Sequence, residues 1–112
     1  MVTLKHLSTS DLAEKMQNNE EKTLILDVRN SDEFNEGKIE NSQVEVINEP
    51  YFHLLDDLQT LDGKLAKNQE IVVVCAKGNS SQMIAEMLDE EGYEDVYSLD
   101  GGMQAWSEHF ER

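Results

Sequence analysis

The chain has 112 residues, 38% of them hydrophobic, and carries 24 acidic against 9 basic side chains for a formal charge of −15. That length suits one domain (1–112) with a single core, and the charge argues against nucleic acid or anionic membrane as partners, in favour of cationic, neutral or small ones. No apolar run approaches the roughly 18 residues a membrane span requires, and the N-terminus lacks the basic-then-apolar layout of a secretion signal, so a soluble, cytoplasmic protein is expected. The single cysteine excludes an internal disulfide and a multi-cysteine metal site.

In chain order, Thr3 to Leu7 is expected to form a short opening strand. Ser8, with Asp11 three residues on, marks a capping box for a helix to about Met16 that turns Leu12, Ala13 and Met16 inward and stops at Asn18 and Asn19. Thr23 to Val28 is the first strong strand, with Asp27 and Arg29 at its C-terminal end, where ligands sit in open α/β sheets. Asn30 to Glu36 reads as a short helix opened by a capping residue and closed by a Gly37 C-cap. Gln43 to Ile47 follows as a strand. Pro50 suits the first turn of a helix whose inward residues are Tyr51, Leu54, Leu55 and Leu58. A turn at Asp62-Gly63 and a polar approach, Lys64 to Glu70, lead to the Val-rich strand Ile71 to Val74.

That strand runs into Cys75, the Gly-bearing loop Ala76 to Ser80, and a helix with Met83, Ile84, Met87 and Leu88 on one face, ended by Gly92. An apolar run without polar alternation predicts a strand covered on both faces. Val96 to Leu99 is a further strand, and Asp100-Gly101-Gly102 opens a last helix with Met103, Trp106 and Phe110 on one side. Strand and helix alternate throughout, which predicts an α/β domain with a mainly parallel central sheet of about five strands flanked by helices.

Cys75 stands where a strand hands over to a helix N-terminus, and backbone N–H groups with the helix dipole favour negative charge there. The thiolate is the reactive form of cysteine. Taken alone, the position fits either a nucleophile or an inert buried thiol at a strand end. His6, His53 and His109 have no metal-ligand spacing, so no metal is expected, and no cofactor.

Three separated motifs together resemble the rhodanese (sulfurtransferase) family. LDVRNSDEFNEGKIENS supplies Asp27, Arg29, Glu33, Phe34, Gly37 and Ile39 of the family's D-x-R, E-[FY]-x-x-G and I-x-G-A elements, with Asn41 where Gly is frequent and Ser42 where Ala is usual. Cys75, Ala76, Lys77, Gly78, Asn79, Ser80 and Ser81 match the loop C-x-x-G-x-R-[ST] in length, and Leu99, Gly101, Gly102 and Trp106 match L-x-G-G-x-x-x-W. The resemblance implies a rhodanese-like three-layer fold. It also implies a Cys75 persulfide that carries sulfane sulfur from a donor such as thiosulfate or a persulfide to cyanide, a small thiol or a partner protein's cysteine. Loop amides of Lys77 through Ser81 would cradle the sulfur.

One departure bears on function. Ser80 and Ala76 stand where many members carry arginine, and the chain's two arginines are Arg29 and the terminal Arg112, which leaves Lys77 as the loop's cation. Lys77 could bind an anionic donor or be a solvated charge. Asp27 and Arg29 could form a pocket rim or a surface pair, Gly101 and Gly102 are expected to allow close backbone approach beside the site, and Trp106 is expected in the core. The alternative function is a rhodanese-like binding or regulatory module of low activity. A cysteine phosphatase or arsenate reductase of related fold needs the clamping arginine that Ser80 replaces. A monomer is expected.

Overall fold

A computed structural model describes residues 5–18, 23–39, 44–57, 61 and 65–110. The strands are β1 (Lys5–Leu7), β2 (Thr23–Asp27), β3 (Val44–Asn48), β4 (Glu70–Val74) and β5 (Asp95–Leu99); the helices are α1 (Thr9–Asn18), α2 (Ser31–Glu36), α3 (Tyr51–Asp56), α4 (Asn79–Glu90) and α5 (Gly102–Phe110). All pairings are parallel in one five-stranded sheet of order β1-β5-β4-β2-β3. The expected α/β fold with a central parallel sheet is therefore the observed one. Thr3, Asn19, Asn41, Ser42, Gln43, Leu58, Asp62, Gly63, Lys64 and Arg112 lie outside the described residues.

Alternation along the two inner strands builds two cores, one on each face. Leu24, Leu26 and Val28 of the β2 segment join Ile71, Val73 and Cys75 of the β4 segment against Leu54 of α3 and Ile84, Ala85 and Leu88 of α4. Ile25, Val72 and Val74 point the other way, to Leu12 and Met16 of α1 and Met103 of α5, with Trp106 packed against this cluster. Each of Ile71, Val72, Val73 and Val74 is fully buried, which is why the strand reads as an unbroken apolar run.

The middle of the sheet fixes the site. Beyond β2 the chain moves outward to β3, and beyond β4 it moves outward the other way to β5, so the C-terminal ends of adjacent β2 and β4 flank a switch point of the topology. The Val28 amide donates to the Val74 carbonyl at 2.8 Å, holding the two chain exits together. Asn48 Nδ2 donates to the carbonyls of Asp27 and Arg29, each at 3.0 Å, and the Tyr51 amide donates to Val28 O at 2.9 Å, which seats α3 beside the same exit.

Local signals hold with two corrections, in α3 and α4. Ser8 Oγ accepts the Asp11 amide, and Asn30 Oδ1 accepts the Glu33 amide at 2.9 Å, so both expected caps form. Gly37 is the C-cap of α2 as expected, with extended backbone at φ 174°, and its carbonyl serves another purpose described below. In α3 only Leu54 of the described expected inward residues is buried, while Tyr51 and Leu55 are exposed, because a helix of six residues turns one narrow stripe to the core. In α4 the buried stripe is Ser81, Ile84, Ala85 and Leu88; Met87 is partly buried and Met83 is exposed.

Ile84→Ala should cost about 2–5 kcal/mol by cavity formation, whereas Met83→Ala should stay within about 0.5 kcal/mol. Urea unfolding midpoints of the two variants check this, and equal losses would contradict the α4 facing.

Candidate active site

Cys75 follows the central strand, and its side chain is 3% exposed. The chain turns there because Gly78 adopts φ +99°, a left-handed conformation that also brings it close to Gly101; a Cβ on Gly78 would stand 3.0 Å from the Gly101 nitrogen. The turn carries the Gly78 amide back onto the sulfur, to which it donates at 2.9 Å. Among the described residues this is the one amide bonded to Sγ, narrower than a cradle by Lys77 through Ser81. Sγ also lies 3.4 Å from Ser81 Oγ, in the first turn of α4, and Ser81 Oγ lies 2.7 Å from Ser98 Oγ of β5. Ser81 and Ser98 are fully buried.

The carbonyls of the loop are taken up from behind. Met103 N donates to Cys75 O at 2.8 Å and Gln104 N to Ala76 O at 3.0 Å, so the free N–H groups at the start of α5 cap the loop's oxygens. The approach is so close that a Cβ at Gly102 would stand 2.3 Å from Cys75 O and 2.8 Å from Ala76 C. Gly101 and Gly102 thus back the loop, and neither lines the pocket in front of it.

That pocket, of about 190 Å³, is lined by Val28, Arg29, Asn30, Glu33, Tyr51, Phe52, Cys75, Ala76 and Ser80. Arg29 and Asp27 are not a surface pair. Asp27 is 1% and Arg29 8% exposed, and their carboxylate and guanidinium meet through Nη2–Oδ2 at 2.7 Å and Nε–Oδ1 at 3.0 Å. Arg29 Nη1 donates to Glu33 O at 3.1 Å and Nη2 to Gly37 O at 2.6 Å. Four of its five N–H donors are thus engaged, two on Asp27 and two on fixing α2 and the segment after it, and Asp27 is absent from the pocket lining. Lys77 is exposed and outside the lining, with no ion pair among the described residues; Asn79 is also outside the lining.

The rhodanese-like domain family model matches residues 8–109. The chain belongs to the rhodanese-like domain family. It is 39% identical over 109 residues to the thiosulfate sulfurtransferase GlpE of Shewanella oneidensis, covering 96% of this chain and 97% of that protein. It is similar to a rhodanese-like domain protein from Staphylococcus aureus, with 30% identity, TM-score 0.76, and 92% and 91% of the two chains covered. It is also similar to part of an NAD-dependent persulfide reductase from A. fulgidus, with 32% identity and TM-score 0.63 over 92% of this chain and 16% of that one.

Within this rhodanese-like frame, four residues of the site escape a reading of motifs. Tyr51 and Phe52 read as the start of a core-facing helix, yet they line the pocket and are 38% and 50% exposed. Pro50, two residues beyond the C-terminal end of β3, is the available signal, since as N-cap it starts α3 on the ligand side of the sheet. Asn30 was legible as a cap but not as lining. Ser98 is a lone hydroxyl in an otherwise apolar strand end, and its burial is the cue that it must have a polar partner.

Removing one member of the buried pair strands the other. Asp27→Ala should lower stability by about 3–5 kcal/mol, read from denaturant unfolding. Gly102→Ala should slow alkylation of Cys75 by iodoacetamide as the displaced loop loses its alignment; an unchanged rate would show that the α5 contact does not set the loop.

Proposed function

We propose that the protein is a sulfurtransferase that carries sulfane sulfur on Cys75. The observation that carries this reading is Cys75 Sγ at the floor of a pocket, accepting the Gly78 amide at 2.9 Å beside the uncapped N-terminus of the 12-residue α4. Similarity to GlpE, a thiosulfate sulfurtransferase, and to part of the A. fulgidus persulfide reductase supports it.

The cycle needs two displacements. The Cys75 thiolate attacks the outer sulfur of thiosulfate; the new S–S bond forms as the bond to the sulfonate sulfur breaks, and sulfite leaves with the electron pair. The product is a Cys75 persulfide anion. Cyanide or a thiolate then attacks the outer sulfur, the S–S bond breaks, and Cys75 returns as thiolate while thiocyanate or a new persulfide departs. Both enzyme forms are monoanions. The Gly78 N–H serves both, with the dipole of α4, whose N-terminus has no side-chain cap, favouring the negative charge. With one cysteine in the chain the acceptor is external.

Ser80 lines the pocket where many relatives of this family carry arginine, Arg29 is committed to Asp27 and two carbonyls, and Lys77 stands outside the lining. Thiosulfate, a dianion, therefore meets a guanidinium with four of its five N–H groups already engaged and binds weakly, while a persulfide donor loses less. Tyr51 and Phe52 give such a donor's organic part an apolar wall.

Incubating the reduced protein with thiosulfate, and separately with a persulfide, should add one sulfur atom to the intact mass. Cyanide should remove it, and Cys75→Ser should never acquire it. If neither donor labels Cys75, the catalytic reading fails and a binding or regulatory module replaces it. Ser80→Arg should lower KM for thiosulfate several-fold with little effect on a neutral donor; an unchanged KM would remove the missing cation as the cause of weak binding.

A further inference from the structure

We propose that Ser98, on β5, is a positioning residue for the nucleophile: its buried hydroxyl orients the Ser81 hydroxyl so that Ser81 donates to Cys75. Ser98 touches neither the sulfur nor the pocket, and its role rests on Cys75 being the nucleophile of the proposed function.

The direction of the bonds follows from a count of hydrogens. Three heteroatoms lie in a row, Cys75 Sγ, Ser81 Oγ and Ser98 Oγ, separated by 3.4 and 2.7 Å. Each serine hydroxyl has one hydrogen and can also accept. Ser98 is fully buried, and among the described residues Ser81 Oγ is the one hydrogen-bond partner of its hydroxyl. If Ser81 donated to Ser98, the Ser98 hydrogen would be left buried without an acceptor, which is the expensive way to arrange a hydroxyl. If Ser98 donates to Ser81, every hydrogen is used. Ser81 then has its own hydrogen free, and the sulfur is the atom it faces.

In that arrangement Sγ accepts from Ser81 as well as from the Gly78 amide, and two donors aimed at one sulfur suit the thiolate rather than the thiol. The opposite direction, with the thiol donating to Ser81 and Ser81 to Ser98, ends on the stranded Ser98 hydrogen. The dead end at β5 therefore gives the chain its sense. The charged groups around the sulfur are the Asp27–Arg29 pair at the end of β2, Glu33 of α2 and exposed Lys77 of the loop; Asp100 after β5 is engaged with His6. None of them is bonded to either serine.

The test is alkylation of Cys75 by iodoacetamide as a function of pH, in which the thiolate forms a thioether and iodide leaves. It needs no sulfur donor. Ser98→Ala should move the midpoint of the profile upward and slow the reaction at neutral pH about threefold, and Ser81→Ala should do so by more. Ser98→Thr and Ser98→Val have the same shape and differ in the hydroxyl; the threonine variant should keep a profile nearer the wild type than the valine variant does. The double variant Ser81→Ala/Ser98→Ala should match Ser81→Ala alone, because Ser98 acts through Ser81.

A Ser98→Ala profile that coincides with wild type overturns the proposal, as do a threonine profile no closer to wild type than the valine one and additive shifts in the double variant. Circular dichroism of each variant separates loss of fold from loss of the hydroxyl, and the Thr/Val pair decides the matter if alanine perturbs packing. Failure of Cys75 to take up sulfur, with these shifts present, would overturn the sulfurtransferase reading and leave the relay standing. Sulfur uptake without the shifts would do the reverse.

Discussion

The contact on which the site depends is backbone against backbone, where the start of α5 closes on the loop after β4. Two amides of α5 bind the Cys75 and Ala76 carbonyls at 2.8 and 3.0 Å, and Gly102 leaves no room for a side chain between them. A short loop that offers its amides to a sulfur must send its carbonyls elsewhere, and buried carbonyls need partners. The α5 N-terminus has donors that its own helix cannot use. One packing event therefore satisfies both elements and fixes which way the loop faces. The Gly-Gly pair after β5 is the sequence trace of this closure, and it acts from behind the chemistry.

The buried Asp27–Arg29 pair does comparable work on the other wall. A guanidinium reaching the carbonyls of Glu33 and Gly37 ties α2 and the chain beyond it to the end of β2. The pair is nearly inaccessible to solvent, so its bonds are little screened, and both carboxylate oxygens are used. A cation so engaged holds the pocket's shape, which leaves substrate charge to other groups. The two readings of Arg29 that the sequence leaves open, pocket rim and surface pair, are both replaced by a buried pair with four of the five guanidinium N–H groups engaged.

Much of the fold was legible because its signals are local and redundant. Ile71 to Val74 could only be a strand covered on both faces, and two cores of alternate residues bear on it. The caps at Ser8 and Asn30 follow from side-chain chemistry within three residues. The site was legible where it is written in one segment, Cys75 through Ser81. It was illegible where remote segments meet. In α3, six residues give too little periodicity to set the phase, so Tyr51 and Leu55 read as inward although Leu54 alone is buried. Ser98 is far from Ser81 in sequence, and only the register of β5 beside β4 brings their hydroxyls together. Gly37 is legible as the stop of α2; that its carbonyl also accepts from Arg29 has no local signature.

The groups that meet the sulfur, the Gly78 amide and the Ser81 hydroxyl, are uncharged, in a chain of formal charge −15. That combination has a chemical logic for the proposed cycle. The thiolate and the persulfide are both monoanions, and neutral dipoles fixed beforehand can stabilise either without binding one so tightly that it stalls. A guanidinium in the loop would add strong, bidentate attraction for a sulfonate and favour the loading step with an anionic donor. In the proposed cycle its absence would favour donors that present sulfur without a second charge, and the apolar Tyr51–Phe52 wall would work in the same direction. A chain of formal charge −15 repels small anions at long range, so in the proposed cycle a donor's charge would be opposed twice, first in approach and then in the pocket.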